Sequence, residues 1–313
     1  MTITQLEYVV AVDRHRHFAK AASSCHVTQP TLSMQLQKLE EELGIIIFDR
    51  SKMPIIPTLE GAPIILQAKV TLREHAKIYH LLDELRGEIQ GQLRLAIIPT
   101  LSPYILPLFL DSFSKQYPKV ELQIYEQKTE HIIKNLEEDN LDAAILVTPL
   151  QNRSLIERVL CYEKFLLFIN PHHPLASKKK IKESDLDLHD LWLLNEGHCF
   201  RDQALKICGT TNRSVLKDNI LFESGSLETL KNLVSKTSGY TLLPEMATLG
   251  LSSNEISCLR EFSGNAPVRE VSLVYARSFY KEKLINALEE KIIQNLPKQI
   301  SSLKRNIEIV PIQ

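Results

Sequence analysis

The chain has 313 residues, 44% hydrophobic and 24% charged, with a net charge of −1 and an isoelectric point near 6.8. That size and balance suit a soluble globular protein of two or three domains and give no bulk positive charge to hold nucleic acid. No apolar run reaches membrane-span length, and Met1-Thr2-Ile3-Thr4-Gln5 lacks the basic and apolar regions of a secretion signal, so a cytoplasmic chain without membrane contact is expected.

Residues 3–12 predict a short helix and Phe18 to Ser24 a second, in which Ala21 and Ala22 allow close helix contact. After a turn at Cys25-His26-Val27, Thr28 suits an N-cap and Pro30 the first turn of a third helix. Leu32, Leu36, Leu39 and Leu43 then form one apolar stripe, and Gly44 ends the helix. Helix, tight turn, helix is the helix-turn-helix plan. Gln29, Pro30, Thr31, Ser33, Met34 and Lys38 lie near the start of its second helix or off the stripe, where recognition helices meet base edges. By periodicity alone the same residues are a solvated face. Ile45 to Thr58 predict a short β-hairpin with Arg50 and Lys52 at its tip, placed for phosphate or minor-groove contact.

Residues 59–86 predict a long helix on which Ile65, Ala68, Leu72, Ala76, Tyr79 and Leu82 form one stripe. The stripe needs a partner: a second copy of the helix, or the helix's own winged domain. Gly87 and Gly91 bracket an expected flexible link. From Leu93 the pattern is α/β. Strands are expected at Leu93–Ile98, Val120–Tyr125, Leu141–Val147, Phe165–Ile169, Leu191–Leu194, Tyr240–Leu243 and Val271–Tyr275. Helices are expected at 103–117, 130–139, 200–207, 227–236 and about 280–294. Such alternation predicts parallel sheets covered by helices on both faces, with ligands bound beyond the strand C-termini.

Cys25, Cys161, Cys199, Cys208 and Cys258 are an odd set without framework spacing, expected to rest as thiols in a reducing compartment. No Cys/His cluster has zinc spacing, so neither a metal nor another cofactor is expected. The segment Asn195-Glu196-Gly197-His198-Cys199-Phe200-Arg201-Asp202-Gln203 places a thiol at or near a helix N-terminus beside an imidazole and a guanidinium, a setting expected to lower its pKa. If Cys199 and Cys208 share one helix, their Cα atoms stand roughly 13.5 Å apart at 1.5 Å per residue. A disulfide needs about 4.4–6.8 Å, so bonding them requires the helix to unwind. Two ordinary buried cysteines fit the same spacing.

Two independent stretches resemble one family. Phe18-Ala19-Lys20-Ala21-Ala22, Thr28-Gln29-Pro30-Thr31-Leu32-Ser33, Leu39-Glu40 and Phe48-Asp49-Arg50 resemble the winged helix-turn-helix signature of the LysR-type transcriptional regulators. Gly197 to Ala204, followed by Cys208, resembles the sensing segment of that family's peroxide-responsive members. The resemblance implies an α/β protein with a winged helix-turn-helix over 1–58 and a dimerisation helix over 59–90. It implies a regulatory domain over 91–300 of periplasmic-binding-protein type, with 91–163 and 267–300 as one subdomain and 164–266 as the other. Residues 301–313 remain as a C-terminal extension. It implies Cys199 as the thiol oxidised by hydrogen peroxide and Cys208 as the resolving thiol. Thr100, Thr129 and His198 would hold the peroxide and Arg269 would stabilise the thiolate; from the residues themselves, Arg201 is expected to add charge or hydrogen bonds at the thiol and Asp202 to hold Arg201 or cap the short helix. Double-stranded DNA, RNA polymerase and further copies of the chain, as a dimer of dimers, are the implied partners. The other readings are a regulator of the same family that binds a small organic acid beside inert cysteines, and a thiol peroxidase.

Overall fold

The computed structural model describes residues 1–85, 89–209, 224–277, 281–301 and 309–311. The chain divides into two units, Met1–Glu88 and Ile89–Gln313.

In the first unit, helices α1 (Ile3–His15), α2 (Phe18–Ser24) and α3 (Gln29–Leu43) are followed by strands β1 (Phe48–Asp49) and β2 (Ile56–Pro57) and by α4 (Gly61–Leu85). The Thr28 side chain accepts from the Thr31 amide, and Gly44 ends α3 at φ 69°, a left-handed conformation that suits glycine. Leu32, Leu36 and Leu39 are fully buried with Val9, Val12 and Phe48, whereas Leu43 at the predicted end of the stripe is exposed. The predicted hairpin is present, with Phe48 opposite Pro57 and Asp49 opposite Ile56. Buried Glu40 anchors it by accepting from the Ile47 and Phe48 amides at 2.8 and 3.3 Å.

The single stripe expected on the long helix is in fact two. Ile65 and Ala68 are buried in the core of the winged domain, Leu72 packs at its edge, and Lys69 reaches Asp13 of α1 at 2.9 Å. Ile78, Tyr79 and Leu82 instead stay 46–60% exposed. The start of α4 thus packs at home, and the farther apolar residues face outward. The expected hinge at Gly87 lies outside the described residues, while Gly91 begins the next strand.

The second unit begins with β3 (Gly91–Ile97), α5 (Ser102–Gln116), β4 (Val120–Glu126), α6 (Thr129–Glu137), β5 (Ala143–Thr148) and β6 (Leu155–Ile169). It continues with β7 (Lys180–Ile181), α7 (Cys199–Ile207), α8 (Leu227–Lys236), β8 (Tyr240–Pro244), α9 (Ser253–Ile256) and β9 (Leu259–Phe262). The elements β10 (Val268–Ala276), α10 (Glu282–Asn295) and α11 (Lys298–Ser301) complete it. The strands run in the order β4-β3-β5-β10-β6-β9-β7, with β8 also on β6.

The sheet is mixed, not parallel as the alternation predicts. β3 is parallel to β4 and β5, but β10 is antiparallel to β5 and β6, and β6 to β8 and β9. The physical reason is the crossing: the chain passes between subdomains on β6 and returns on β10, so those two strands oppose each other. β6 is 15 residues long, more than twice the predicted strand, because it carries both the crossing and the start of the second subdomain. Leu191–Leu194 is buried but is not a strand; Leu191 alone bridges Tyr240. Separate apolar clusters surround β3, β5 and β10 on one side and β8, α7 and α8 on the other.

Among the described residues no helix is long and apolar enough to cross a membrane.

Candidate functional site

Cys199 is the first residue of α7, and Cys208 is its C-cap. Both are free thiols at the two ends of one unbroken helix. Their Cα separation is therefore roughly 13.5 Å, well outside disulfide range. They also belong to different cores. The Cys199 side chain packs in the cluster of β3, β5 and β10, whereas Cys208 borders the cluster of α7, α8 and β8.

Cys199 is only 7% exposed, and a cavity of about 290 Å³ reaches it between α6, the loop after β5 and α7. Thr129 and Asp202 share that cavity lining. The N-cap of α6 is Lys128, whose side chain makes no capping bond, and Thr129 is the first residue of the helix. The Thr129 hydroxyl is instead turned to the Cys199 sulfur, where its hydrogen bond favours the thiolate.

The sequence predicts a thiol with a lowered pKa; the structure shows the reverse. Burial pushes the Cys199 thiol up, outweighing the Arg269 charge, the Thr129 hydroxyl and the Phe200 amide, which all pull it down. Nearby Asp202 adds to the rise. Arg201, expected to add charge at the thiol, donates instead to the Leu194 carbonyl at 2.8 Å and ties α7 to the segment before it. Burial likewise pushes Cys208 up, to about 12. The resting pair is thus two protonated thiols at neutral pH.

His198 is buried, and burial lowers its pKa with help from the Lys128 charge, which gives a neutral imidazole near pH 7. Its Nε2 lies 3.3 Å from where a Cβ on Gly225 would stand, so glycine is what admits the ring there. Lys128 Nζ donates to the Glu196 carbonyl at 2.8 Å, holding the segment that presents Cys199. Gly197 follows at φ 82°, a conformation that side chains disfavour.

Arg269 is fully buried and opposes Glu163 across the β10–β6 ladder. Its Nε donates to Glu163 Oε2 at 2.8 Å, and its two terminal nitrogens donate to Thr100 Oγ1 and Thr100 O at 3.2 and 3.3 Å. The guanidinium also stands 5.3 Å over the Phe200 ring centroid. Because Arg269 donates to Thr100 Oγ1, that hydroxyl's own hydrogen points elsewhere, as a donor. Glu163 completes the chain by accepting from the Met246 amide at 2.7 Å. Sequence reasoning missed Glu163 and Lys128. A carboxylate inside the apolar strand segment Cys161-Tyr162-Glu163-Lys164-Phe165 was the available signal for the first. The structure therefore brings Thr100, Thr129, Arg269 and Asp202 around the Cys199 end of α7, while Arg201 faces away.

In the first unit Gln29, Pro30, Met34 and Lys38 are exposed on α3, and Thr31 and Ser33 are half-buried. Lys52 is exposed on the hairpin tip. Arg50 is partly committed: its guanidinium holds Glu40 at 2.6 Å and stands 5.4 Å over the Phe18 ring, so it also braces the hairpin.

A helix-turn-helix with a short hairpin, joined to a two-subdomain mixed-sheet unit, defines a class, and the sequence comparisons agree. Residues 3–62 match the bacterial regulatory helix-turn-helix protein family of LysR type, and residues 86–297 match the LysR substrate binding domain. The chain belongs to the LysR family of DNA-binding transcriptional regulators. It is 37% identical over 275 residues to the hydrogen peroxide-inducible genes activator of Haemophilus influenzae, covering 88% of this chain and 90% of that one. It is 35% identical to the DNA-binding transcriptional dual regulator OxyR of Escherichia coli, covering 93% and 96%. Full-length OxyR from Pseudomonas aeruginosa, solved as a cysteine variant, superposes with a TM-score of 0.78 at 33% identity, covering 93% and 94%. A hydrogen peroxide-bound OxyR variant of Corynebacterium glutamicum gives 0.59 at 29% identity, covering 94% of each chain.

Proposed function

We propose that this regulator senses hydrogen peroxide through Cys199 and Cys208. One observation carries the reading: two free thiols stand at the ends of a single helix, and the first meets both a cavity and the Thr129 hydroxyl. The names of the relatives support it. In the proposed reaction the Cys199 sulfur attacks one peroxide oxygen, and the O–O bond breaks. The departing hydroxide takes up the thiol proton and leaves as water, so peroxide is reduced and the sulfur becomes a sulfenic acid. In this reading Thr100, Thr129 and His198 orient the peroxide, and Arg269 stabilises the developing negative charge. Cys208 sulfur then displaces the sulfenic hydroxyl, which departs as water, and the disulfide forms. That last step requires α7 to unwind.

Peptide mapping after brief peroxide treatment, paired with DNA footprinting of both redox states, tests the reading. A Cys199–Cys208 disulfide and an altered footprint are expected. A Cys199 that stays reduced while other thiols oxidise removes the proposal.

On the DNA side, Gln29 is proposed to read a base edge and Lys52 to contact the backbone, with RNA polymerase as the downstream partner. Gln29→Ala should cost about 1–3 kcal/mol of specific binding if the contact is bidentate. Lys52→Ala should weaken all sequences alike and flatten the salt dependence. Equal loss from both variants on specific and random DNA would remove this division of roles.

The exposed end of α4 is proposed to pair with a second copy, the first level of a dimer of dimers. Leu82→Glu, at a residue 46% exposed, should yield monomers by sedimentation without unfolding the winged domain. Leu72 is unsuitable for that test because it packs on its own unit's core. A stable Leu82→Glu dimer would place the seam elsewhere.

A further inference from the structure

The described end of the chain, Ile309, Val310 and Pro311, returns to the second unit and engages it at several points. Ile309 pairs with Val268 as a parallel bridge, and the Val310 amide donates to the Val268 carbonyl at 2.8 Å. Gln203 Nε2 donates to the Val310 carbonyl at 2.7 Å, and Lys206 Nζ to the Pro311 carbonyl at 3.3 Å. Val310 also packs on the apolar cluster that holds Phe200, Ala204 and Leu205. Gln203 and Lys206 lie on α7 between the two thiols, three residues apart and so on one helix face. Gln203 is fully buried, and its Oε1 already has no partner among the described residues. Losing Val310 would therefore strand a buried amide, which is costlier than losing an exposed hydrogen bond.

We propose that Ile309–Pro311 is a positioning segment for the redox pair: it clamps α7 in the form that keeps Cys199 and Cys208 apart, and so sets how readily the disulfide closes. The inference rests on the redox function proposed above. The restrained step is the attack of Cys208 sulfur on the Cys199 sulfenic acid, in which S–S forms, S–O breaks and water leaves. Peroxide is the oxidant and has already been consumed in making the sulfenic acid. Unwinding α7 pulls Gln203 and Lys206 away from the tail. These contacts belong to the reduced form alone, and a contact present in one of two states shifts the balance toward that state. The clamp therefore favours the dithiol and leaves the first oxidation untouched.

The full-length chain is compared with a chain ending at Glu308, with Val310→Pro, which removes the amide donor to Val268, and with Lys206→Ala. Each is equilibrated in glutathione buffers, and the disulfide is quantified by mass spectrometry. Sulfenic acid formation and its closure are timed after mixing with hydrogen peroxide. Sulfenic acid should form at the same rate in every variant and close faster in all three. In the truncated chain the equilibrium should move roughly tenfold toward disulfide, on the scale of one hydrogen bond. That is about 30 mV toward more negative potential for a two-electron couple. The two point variants should move the same way by less, and they decide the matter if the truncated chain does not fold. Equal closure rates and equilibria in every folded variant would overturn the clamp. A native chain that forms no Cys199–Cys208 disulfide would overturn the redox function itself.

Discussion

Cys199→Ser is expected to stay folded, bind its DNA as the reduced protein does, and lose its entire response to peroxide. Serine nearly matches the shape of cysteine, so the buried pocket of Thr129 and Phe200 has no volume to refill. Its hydroxyl stays protonated at neutral pH and does not take oxygen from peroxide. Cys208→Ser separates the steps: Cys199 still oxidises but stops at sulfenic acid or goes further up the oxidation ladder. Anisotropy of labelled DNA, read with and without peroxide, gives the first result, and intact-protein mass gives the second. A peroxide-dependent change in Cys199→Ser would move the sensor to another residue.

Arg269→Met is expected to cost about 3–5 kcal/mol of stability, because it leaves the Glu163 carboxylate buried without its partner. Glu163 and Arg269 are both fully buried, so water cannot replace the lost ion pair. Glu163→Met combined with Arg269→Met should recover most of that loss, since an apolar pair avoids the desolvation of two charges. Chemical denaturation followed through Trp192, the chain's single tryptophan, reads the second unit directly. The double variant should nonetheless react slowly with peroxide. Arg269 is the largest influence pulling the Cys199 pKa down, so its removal raises the thiol further and thins the thiolate at neutral pH. A single variant as stable as the parent would show that the buried pair contributes no net stability.

Features with a strong local signature were legible in the sequence. The Thr28 cap, Pro30 and the leucine spacing fixed α3 to within a residue or two, because cap and periodicity agree there. The extent of α7 was legible for the same reason, and with it the separation of the two thiols. The sign of the Cys199 pKa shift was not. Helix position and neighbouring charges can be read from a sequence, but the desolvation that wins depends on how completely α7 is covered. The first two-thirds of β6, Leu155–Lys164, was hidden because Glu157, Arg158, Glu163 and Lys164 interrupt its apolar pattern; Arg158 and Glu163 make ion pairs with distant elements that no local window contains. Leu191–Leu194 misled in the opposite way. An apolar run reports burial, and burial here comes without a strand ladder.

The pairing of β6 with β10 bears on how a signal can leave the sensor. The two crossing strands face each other from Val268 opposite Lys164 to Ala276 opposite Leu155, with one irregularity at Val271/Ser272, and β10 is held on its other edge by β5. Hinged two-lobed proteins close because a few connecting residues absorb large backbone rotations. Here, among the described residues, β10 is laddered on both edges over Glu270–Val274, β6 is laddered to β10 alone over Leu155–Lys164, and the buried Glu163–Arg269 pair ties the two strands, which stiffens the crossing instead. Under the proposed function, oxidation at Cys199 would therefore be expressed as a change of surface around α7, where the helix joins two thiols that lie in different cores.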